Sequence, residues 1–303
     1  MTDKAPAPVV IAAVVCVGLG VTGLAQMPTF RAKSDLVVLQ VAVHDDDGQP
    51  VASLTQNEFR IWEDGVLQTI QFFVREDHPV AIGLVVDNST SMAPKRDEVI
   101  AAAEAFVQAS NPHDALFTVN FSDRVSFGLP AGVPFTSDRA SLNEALSTIG
   151  ARGQTALYDA LAAALAHVEK SALDRKVLVV VSDGEDNRSR IGFDDVFERA
   201  LRSNATIYTV GIFDLFEGGD RKALERLAET TGGLAFFPKR VREIRVALDR
   251  ISVDVRHRYT IGYVPASPGA HDRVRRIKVD AVDPDDREPL RARARTGYLS
   301  PVR

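Results

Sequence analysis

Four short, mainly apolar runs dominate the middle of this chain, at residues 81–86, 115–121, 176–181 and 206–211. Each is too short to be a buried helix, and 81–86 and 177–181 are continuously apolar, not alternating as a half-exposed strand would be. Stretches of helical periodicity separate them: an Ala-rich segment at 95–109, Leu157, Leu161 and Leu165 at four-residue spacing, a segment at 193–202, and Leu224 with Leu227 before Gly232-Gly233. Ile244, Leu248, Ile251 and Val255 mark a last helix. Short buried strands alternating with helices require a mostly parallel sheet covered on both faces. Residues 79–255 are therefore expected to form an α/β, doubly wound domain, with 124–128 as a short edge strand.

The flanks change period. In 35–76, Val37, Leu39, Val41 and Val43 share one face at period two. Phe59 and Ile61 alternate into Asp64-Gly65, and Ile70, Phe72 and Val74 alternate after it. An Asp-Gly pair between alternating runs is a hairpin signal, because both central residues must accept positive φ. In 257–299 strands are expected at 258–264, 273–282 and 290–295. Neither flank is long enough to bury a core alone. The only cysteine, Cys16, lies near the N-terminus, so no disulfide can help. The two flanks are thus expected to pair into one β-sandwich, with the α/β domain inserted between its halves. The alternative is two hairpin layers packed separately on that domain. The last helix runs into the strand at 258–264 with almost no linker, so a shift of this helix would pull on the flanking strands.

Residues 1–25 read as an export signal. Lys4 precedes an apolar run from Val9 to Leu24, and Gly23-Leu24-Ala25 offers small residues at a cleavage site before Gln26. The expectation is a periplasmic or extracellular protein, with retention as an uncleaved N-terminal membrane anchor as the alternative. The formal net charge of −5 argues against a general nucleic-acid binder. From Pro238 onward the chain carries 16 basic and 9 acidic residues, a net of +7, which leaves −12 on the rest. Alternation such as Arg291, Arg293 and Arg295 against Leu290, Ala292 and Ala294 reads as a solvated strand face.

Ligands of an open parallel sheet bind beyond the carboxyl ends of its strands. The run 81–86 is followed by Asp87-Asn88-Ser89-Thr90-Ser91, and the run 176–181 by Ser182-Asp183-Gly184-Glu185-Asp186. Gly153-Gln154-Thr155 precedes the helix that carries Leu157. Ser89, Ser91 and Thr155 supply hydroxyls, and Asp87 and Asp183 supply carboxylates. All are hard oxygen donors, which select Mg²⁺, Mn²⁺ or Ca²⁺ over zinc or copper. Hydroxyls are neutral ligands, so a cation held this way is left ready to accept a carboxylate from outside. The plainer alternative is that Ser89 and Ser91 cap the following helix and Asp183 closes a turn before Gly184.

Asp-x-Ser-x-Ser at 87–91, with Thr155 and Asp183, resembles the metal-ion-dependent adhesion site of von Willebrand factor type A domains. The Asp64-Gly65 pair and Gly297-Tyr298 extend the resemblance to bacterial (acidobacterial-type) VWFA-related secreted proteins. The resemblance implies that Ser89, Ser91 and Thr155 touch the metal through their hydroxyls. It implies that Asp87 and Asp183 act directly or through water, that Mg²⁺ is the first choice of ion, and that an Asp or Glu of a protein partner completes the site. A binding or adhesion module is implied, not an enzyme; a metal-silent structural or assembly module of the cell envelope is the alternative. Thr90 departs from the family, which often has glycine there, and its branched side chain is expected to restrict the loop.

Other chemistry lacks its residues. Ser89 stands where an aspartyl phosphatase needs its second aspartate, and there is no Gly-x-Ser-x-Gly elbow and no phosphate-cradling Gly-x-x-x-x-Gly-Lys loop. Gly18, Gly20 and Gly23 match Gly-x-Gly-x-x-Gly, but inside the export segment. The six histidines are scattered without ligand spacing. Glu185 and Asp186 read as a solvated loop, or as ligands of a second cation.

Overall fold

A computed structural model describes residues 36–75, 77–147, 150–213, 219–266 and 273–300. The segment read as an export signal, with Cys16, lies outside the described residues. Among those described, no helix is long and apolar enough to cross a membrane.

The described residues build two sheets. The flanks contribute β1 (Val37–His44), β2 (Phe59–Glu63), β3 (Val66–Gln68) and β4 (Ile70–Val74), then β11 (Arg258–Tyr263), β12 (Val274–Val282), β13 (Pro289–Arg293) and β14 (Gly297–Leu299). Between them lie β5 (Val80–Asp87), α1 (Arg96–Ala109), β6 (Ala115–Phe121), β7 (Val125–Phe127), α2 (Arg139–Ser147), α3 (Leu157–Val168), β8 (Arg175–Ser182), α4 (Phe193–Arg202), β9 (Thr206–Gly211), α5 (Arg221–Thr231), β10 (Ala235–Phe236) and α6 (Glu243–Arg256).

The inner sheet has the order β10-β9-β8-β5-β6-β7, parallel except for the β6–β7 edge pair. Every residue of β5 is buried, as a central strand covered on both faces demands. Right-handed crossovers put the connections from β5 to β6 and from β6 back to β8 on opposite faces. The helices divide accordingly: α1 packs on α2 and α6, and α4 packs on α3 and α5. Ile244, Ala247, Leu248, Ile251 and Val255 of α6 are all buried in this core at helical spacing.

The flanking strands do interleave N- and C-terminal segments: β1 pairs with β11 and β13, and β2 with β12. They form one hydrogen-bonded path, β3-β2-β12-β13-β1-β11-β4 with β14 on β12, where two packed sheets were expected. The path curls on itself. Phe59 of β2 lies 5.0 Å, ring centre to ring centre, from Tyr259 of β11, although these strands are not neighbours. Leu39, Val41, Val43, Ile61 and Ile261 fill the enclosed core. The Asp64-Gly65 hairpin has φ of 48° and 82° at its two residues, as a tight two-residue turn between twisted strands requires. Its neighbour Glu63 is fully buried and accepts hydrogen bonds from Arg275, Tyr263 and Tyr298. Asp64-Gly65 and Gly297-Tyr298, far apart in sequence, thus meet around one carboxylate. The expected alternation of Ile70, Phe72 and Val74 fails. Tyr263 pairs with Ile70 while Gly262 pairs with Phe72, so Gln71 is an extra residue in the register. The bulge turns Phe73 inward against Phe59 and leaves Phe72 exposed.

A buried charge cluster joins the two sheets. Asp254 of α6 accepts from Arg258 of β11 at 2.7 Å and also from Arg293 of β13 and Tyr208 of β9. Arg258 and Arg293 donate in addition to the carbonyl of Gly232, just after α5. Arg295 donates to the carbonyls of Leu201 and Ser203 at the end of α4. Of the three alternating arginines only Arg291 is a solvated surface residue; Arg293 and Arg295 dock the flanking sheet on the inner domain. Burial pushes the Asp254 carboxyl up, but Arg258 and Arg293 outweigh it and hold it at about 2. A carboxyl depressed from its usual value near 4 contributes stability that is present above that value and lost as pH falls through about 2. The difference in unfolding free energy between wild type and Asp254→Asn is therefore expected to shrink by about 2 kcal/mol between pH 4 and pH 2. Urea titrations across that range check it, and a difference independent of pH would contradict the assignment.

Candidate metal centre

All three loops singled out in the sequence lie at the carboxyl edge of the inner sheet. Asp87 is the last residue of β5. Ser89 and Ser91 stand at the start of the short 3-10 turn Thr90–Lys95. Asp183 directly follows β8, and Thr155 lies two residues before α3. Asp87, Ser89, Thr155 and Asp183 are almost fully buried.

Three of the five side chains, Ser89, Ser91 and Asp183, form one hydrogen-bonded chain, which Asp87 joins through the backbone of Ser89. Ser91 Oγ donates to Asp183 Oδ2, and the Ser89 and Ser91 hydroxyls are 3.0 Å apart. The backbone N–H of Ser89 donates to Asp87 Oδ1 at 2.8 Å. Thr155 joins through the backbone: the Asn187 carboxamide accepts from its N–H at 2.9 Å, and its carbonyl accepts from Asn187 and Arg188, both at 3.0 Å. Its hydroxyl makes no hydrogen bond among the described residues. The capping alternative for Ser89 is not what the structure has, because its hydroxyl accepts from no backbone N–H of the following turn. Asp183 does close a turn, accepting from the N–H of Glu185 at 3.2 Å, while its other oxygen takes Ser91.

Two residues of the site escaped the sequence reading. Ser182 donates to Asp87 Oδ2 at 2.6 Å, and its own oxygen accepts from the N–H of Gly184. Asn187 holds Thr155. Ser182 ends a strand beside a candidate ligand, the one signal that could have found it. Asp186, read as a solvated loop residue or second cation ligand, instead accepts from the N–H of Tyr158 in the first turn of α3 at 3.2 Å. Asp186 also accepts from Ser189 Oγ, and Ser189 in turn accepts from the N–H of Asp159. The Asp183 loop therefore caps the helix that follows Thr155.

The third loop is fixed to the first. Both the N–H and the hydroxyl of Thr90 donate to the carbonyl of Gly153 at 3.0 Å. The hydroxyl that replaces the family's frequent glycine adds this second link between the loops. Gly153 itself has φ of +79°, and a Cβ there would stand 2.2 Å from Asp123 Oδ2. Another residue there would be strained in this left-handed conformation and would have to displace the Asp123 carboxylate.

Every polar contact of the Asp87 and Asp183 carboxylates among the described residues is a hydroxyl or a backbone N–H. Burial pushes Asp87 up, hydrogen bonds from Ser182 and Ser89 pull it part of the way back, and the charge of Asp183 adds to the rise, so the carboxyl stands at about 6. Two carboxylates and three hydroxyls, all oxygen, form a donor set that fits a hard divalent cation. No group of three or more His, Cys, Asp or Glu is placed to hold a metal among the described residues. A cation here would depend on the hydroxyls.

An open parallel sheet with its polar loops gathered at one carboxyl edge places the chain among the doubly wound α/β proteins. The family model of the von Willebrand factor type A domain matches residues 81–250, more than half of the chain. The chain belongs to that family. A search of curated proteins finds no match. Among solved structures it is similar to a von Willebrand factor type A protein from Catenulispora acidiphila, with TM-score 0.53 and 14% identity over 90% of this chain and 76% of the other. It is also similar to proximal thread matrix protein 1 of the mussel byssus, with TM-score 0.50 and 17% identity over 64% of this chain and 50% of that one. The vWF domain of the type V pili tip protein Mfa5 from Porphyromonas gingivalis aligns at TM-score 0.48 and 15% identity, over 58% and 94%. At these identities the likeness is one of fold.

A carboxyl raised in the folded state stabilises that state below its ordinary value near 4, and this contribution is lost as pH rises through about 6. In EDTA, Asp87→Asn is therefore expected to gain about 2–3 kcal/mol relative to wild type as pH rises from 4 to 8. Denaturant unfolding at both pH values measures this. A variant equally offset from wild type at both would contradict the burial cost assigned to Asp87.

Proposed function

We propose that this chain is a protein-binding module whose contact point is a divalent cation, Mg²⁺ or alternatively Mn²⁺ or Ca²⁺. Ser89, Ser91, Thr155, Asp87 and Asp183 hold the ion, and a partner's Asp or Glu carboxylate completes its coordination. The observation that carries this reading is the convergence of two buried carboxylates on two serine hydroxyls, with no basic side chain bonded to either among the described residues. Burying like charges together is costly unless a cation compensates them. The bound ion would compensate the two buried carboxylates, and because the remaining ligands are neutral hydroxyls it would keep a position for a carboxylate from outside. The residues would position it: Ser182 orients Asp87, and Asn187 and Gly153 lock the loops. The role is binding, not turnover. The apolar run from Val9 to Leu24 supports action outside the cytoplasm.

A metal-silent structural or assembly module is the second reading. It is favoured by the hydrogen bonds among Ser89, Ser91 and Asp183, which satisfy these groups with no ion. Calorimetric titration of Mg²⁺ and Mn²⁺ into the EDTA-stripped chain separates the two. The proposal expects binding of one ion per chain, lost in Asp87→Ala. Heat of dilution alone, for both ions, would favour the metal-silent module.

A further inference from the structure

Three arginines stand at the rim of this site. Each is tied to a site loop by its backbone. The N–H of Arg152 donates to the carbonyl of Asn88 at 2.8 Å, between Asp87 and Ser89. The N–H of Arg188 donates to the carbonyl of Thr155 at 3.0 Å. The carbonyl of Arg124 accepts from Ser122, whose own carbonyl accepts from Ala156, beside Thr155. All three residues are exposed, and their side chains make no ion pair or hydrogen bond among the described residues. Arg190, two residues beyond Arg188, is by contrast paired with Asp159 at 3.2 Å. The acidic side chains of the same loops are differently engaged. Asp123 accepts from the N–H of Gln154, Asp186 caps α3, and Glu185 is half-buried. These arginines lie in the part of the chain that carries a net charge of −12, and among the described residues they keep exposed guanidinium groups with no acidic partner.

We infer that the partner presents its metal-binding carboxylate within an acidic, extended segment, whose flanking Asp and Glu side chains lie against Arg124, Arg152 and Arg188. This rests on the metal-site reading above. A lone carboxylate is a common surface feature and discriminates poorly, whereas charges placed around it raise the encounter rate and select among partners. The overall net charge of −5 and the small number of arginines favour a short peptide segment over a nucleic acid or a lipid surface.

The test uses the full chain and immobilised decapeptides with one central Asp, flanked on both sides by Glu, by Ser or by Lys. Retention is measured with Mn²⁺ and with EDTA. Calorimetric Mn²⁺ binding without peptide is run in parallel. The expected order is Glu over Ser over Lys, with about ten-fold between Glu and Ser, dependent on Mn²⁺ and diminished at high salt. The triple variant R124S/R152S/R188S should lose that ten-fold while keeping Mn²⁺ affinity and thermal midpoint; the triple lysine variant should retain most of it. Equal retention of Glu and Ser peptides, a preference unchanged in R124S/R152S/R188S, or no retention of any peptide, with Mn²⁺ still bound, would overturn the acidic-partner inference alone. Equal retention in EDTA, or equal capture of inorganic polyphosphate, would indicate a general anion surface and overturn it too. A wild-type chain that binds no Mn²⁺ would overturn the metal-site reading and this inference with it.

Discussion

A carboxylate at the end of a strand with no exposed residue is the constraint on which the site depends. Burial on both faces of β5 makes the sheet stable, and the same burial strips water from Asp87. An ionised group there must find partners in the protein. Those partners are the Ser182 hydroxyl and the N–H of Ser89. Loops that emerge beside one another in a parallel sheet can supply them, because adjacent strands end at the same edge. The topology therefore gathers the donors, and it places two like charges side by side, which is the cost the proposed cation would offset.

The flanking strands depend on a second buried carboxylate. Asp254 sits on the last helix but is held by arginines of β11 and β13, from outside the inner domain. Breaking such a cluster by removing one member leaves a charge buried without compensation, at about 3–5 kcal/mol. Only His257 separates α6 from β11. The Arg175 guanidinium donates to the Val255 carbonyl, and Arg256 pairs with Asp114 at 2.8 Å. The C-terminal end of α6 is thus gripped from both sheets, and displacement of this helix has to carry the curled sheet with it or break these pairs.

Much of this was legible in the sequence because it rests on local pattern. Mainly apolar runs marked β5, β6, β8 and β9, and positive-φ chemistry marked the Asp64-Gly65 hairpin. Polar residues just after strands marked Asp87, Ser89, Ser91 and Asp183. The missed features have other physical origins. In α2 only Leu142, Ala145 and Leu146 are buried, among serines and an asparagine that weaken the helical signal. The bulge at Gln71 shifts the alternation by one residue, which no period-two reading anticipates. Ser182 and Asn187 act through other side chains, and Arg293 and Arg295 find partners tens of residues away in sequence. Pairings of that kind are set by tertiary packing and leave no periodic trace. The curled single path of flanking strands, in place of two sheets, likewise depends on how β13 bridges β1 and β12.

The proposed function requires first that Asp87, Ser89, Ser91, Thr155 and Asp183 together hold one divalent cation. Anomalous scattering from a crystal of the protein grown with Mn²⁺ tests it most directly. The account predicts one strong peak among the Ser89, Ser91 and Thr155 hydroxyls, within reach of Asp87 and Asp183 directly or through water. A map with no peak at the carboxyl edge of the inner sheet, or with manganese bound only elsewhere on the chain, would contradict it.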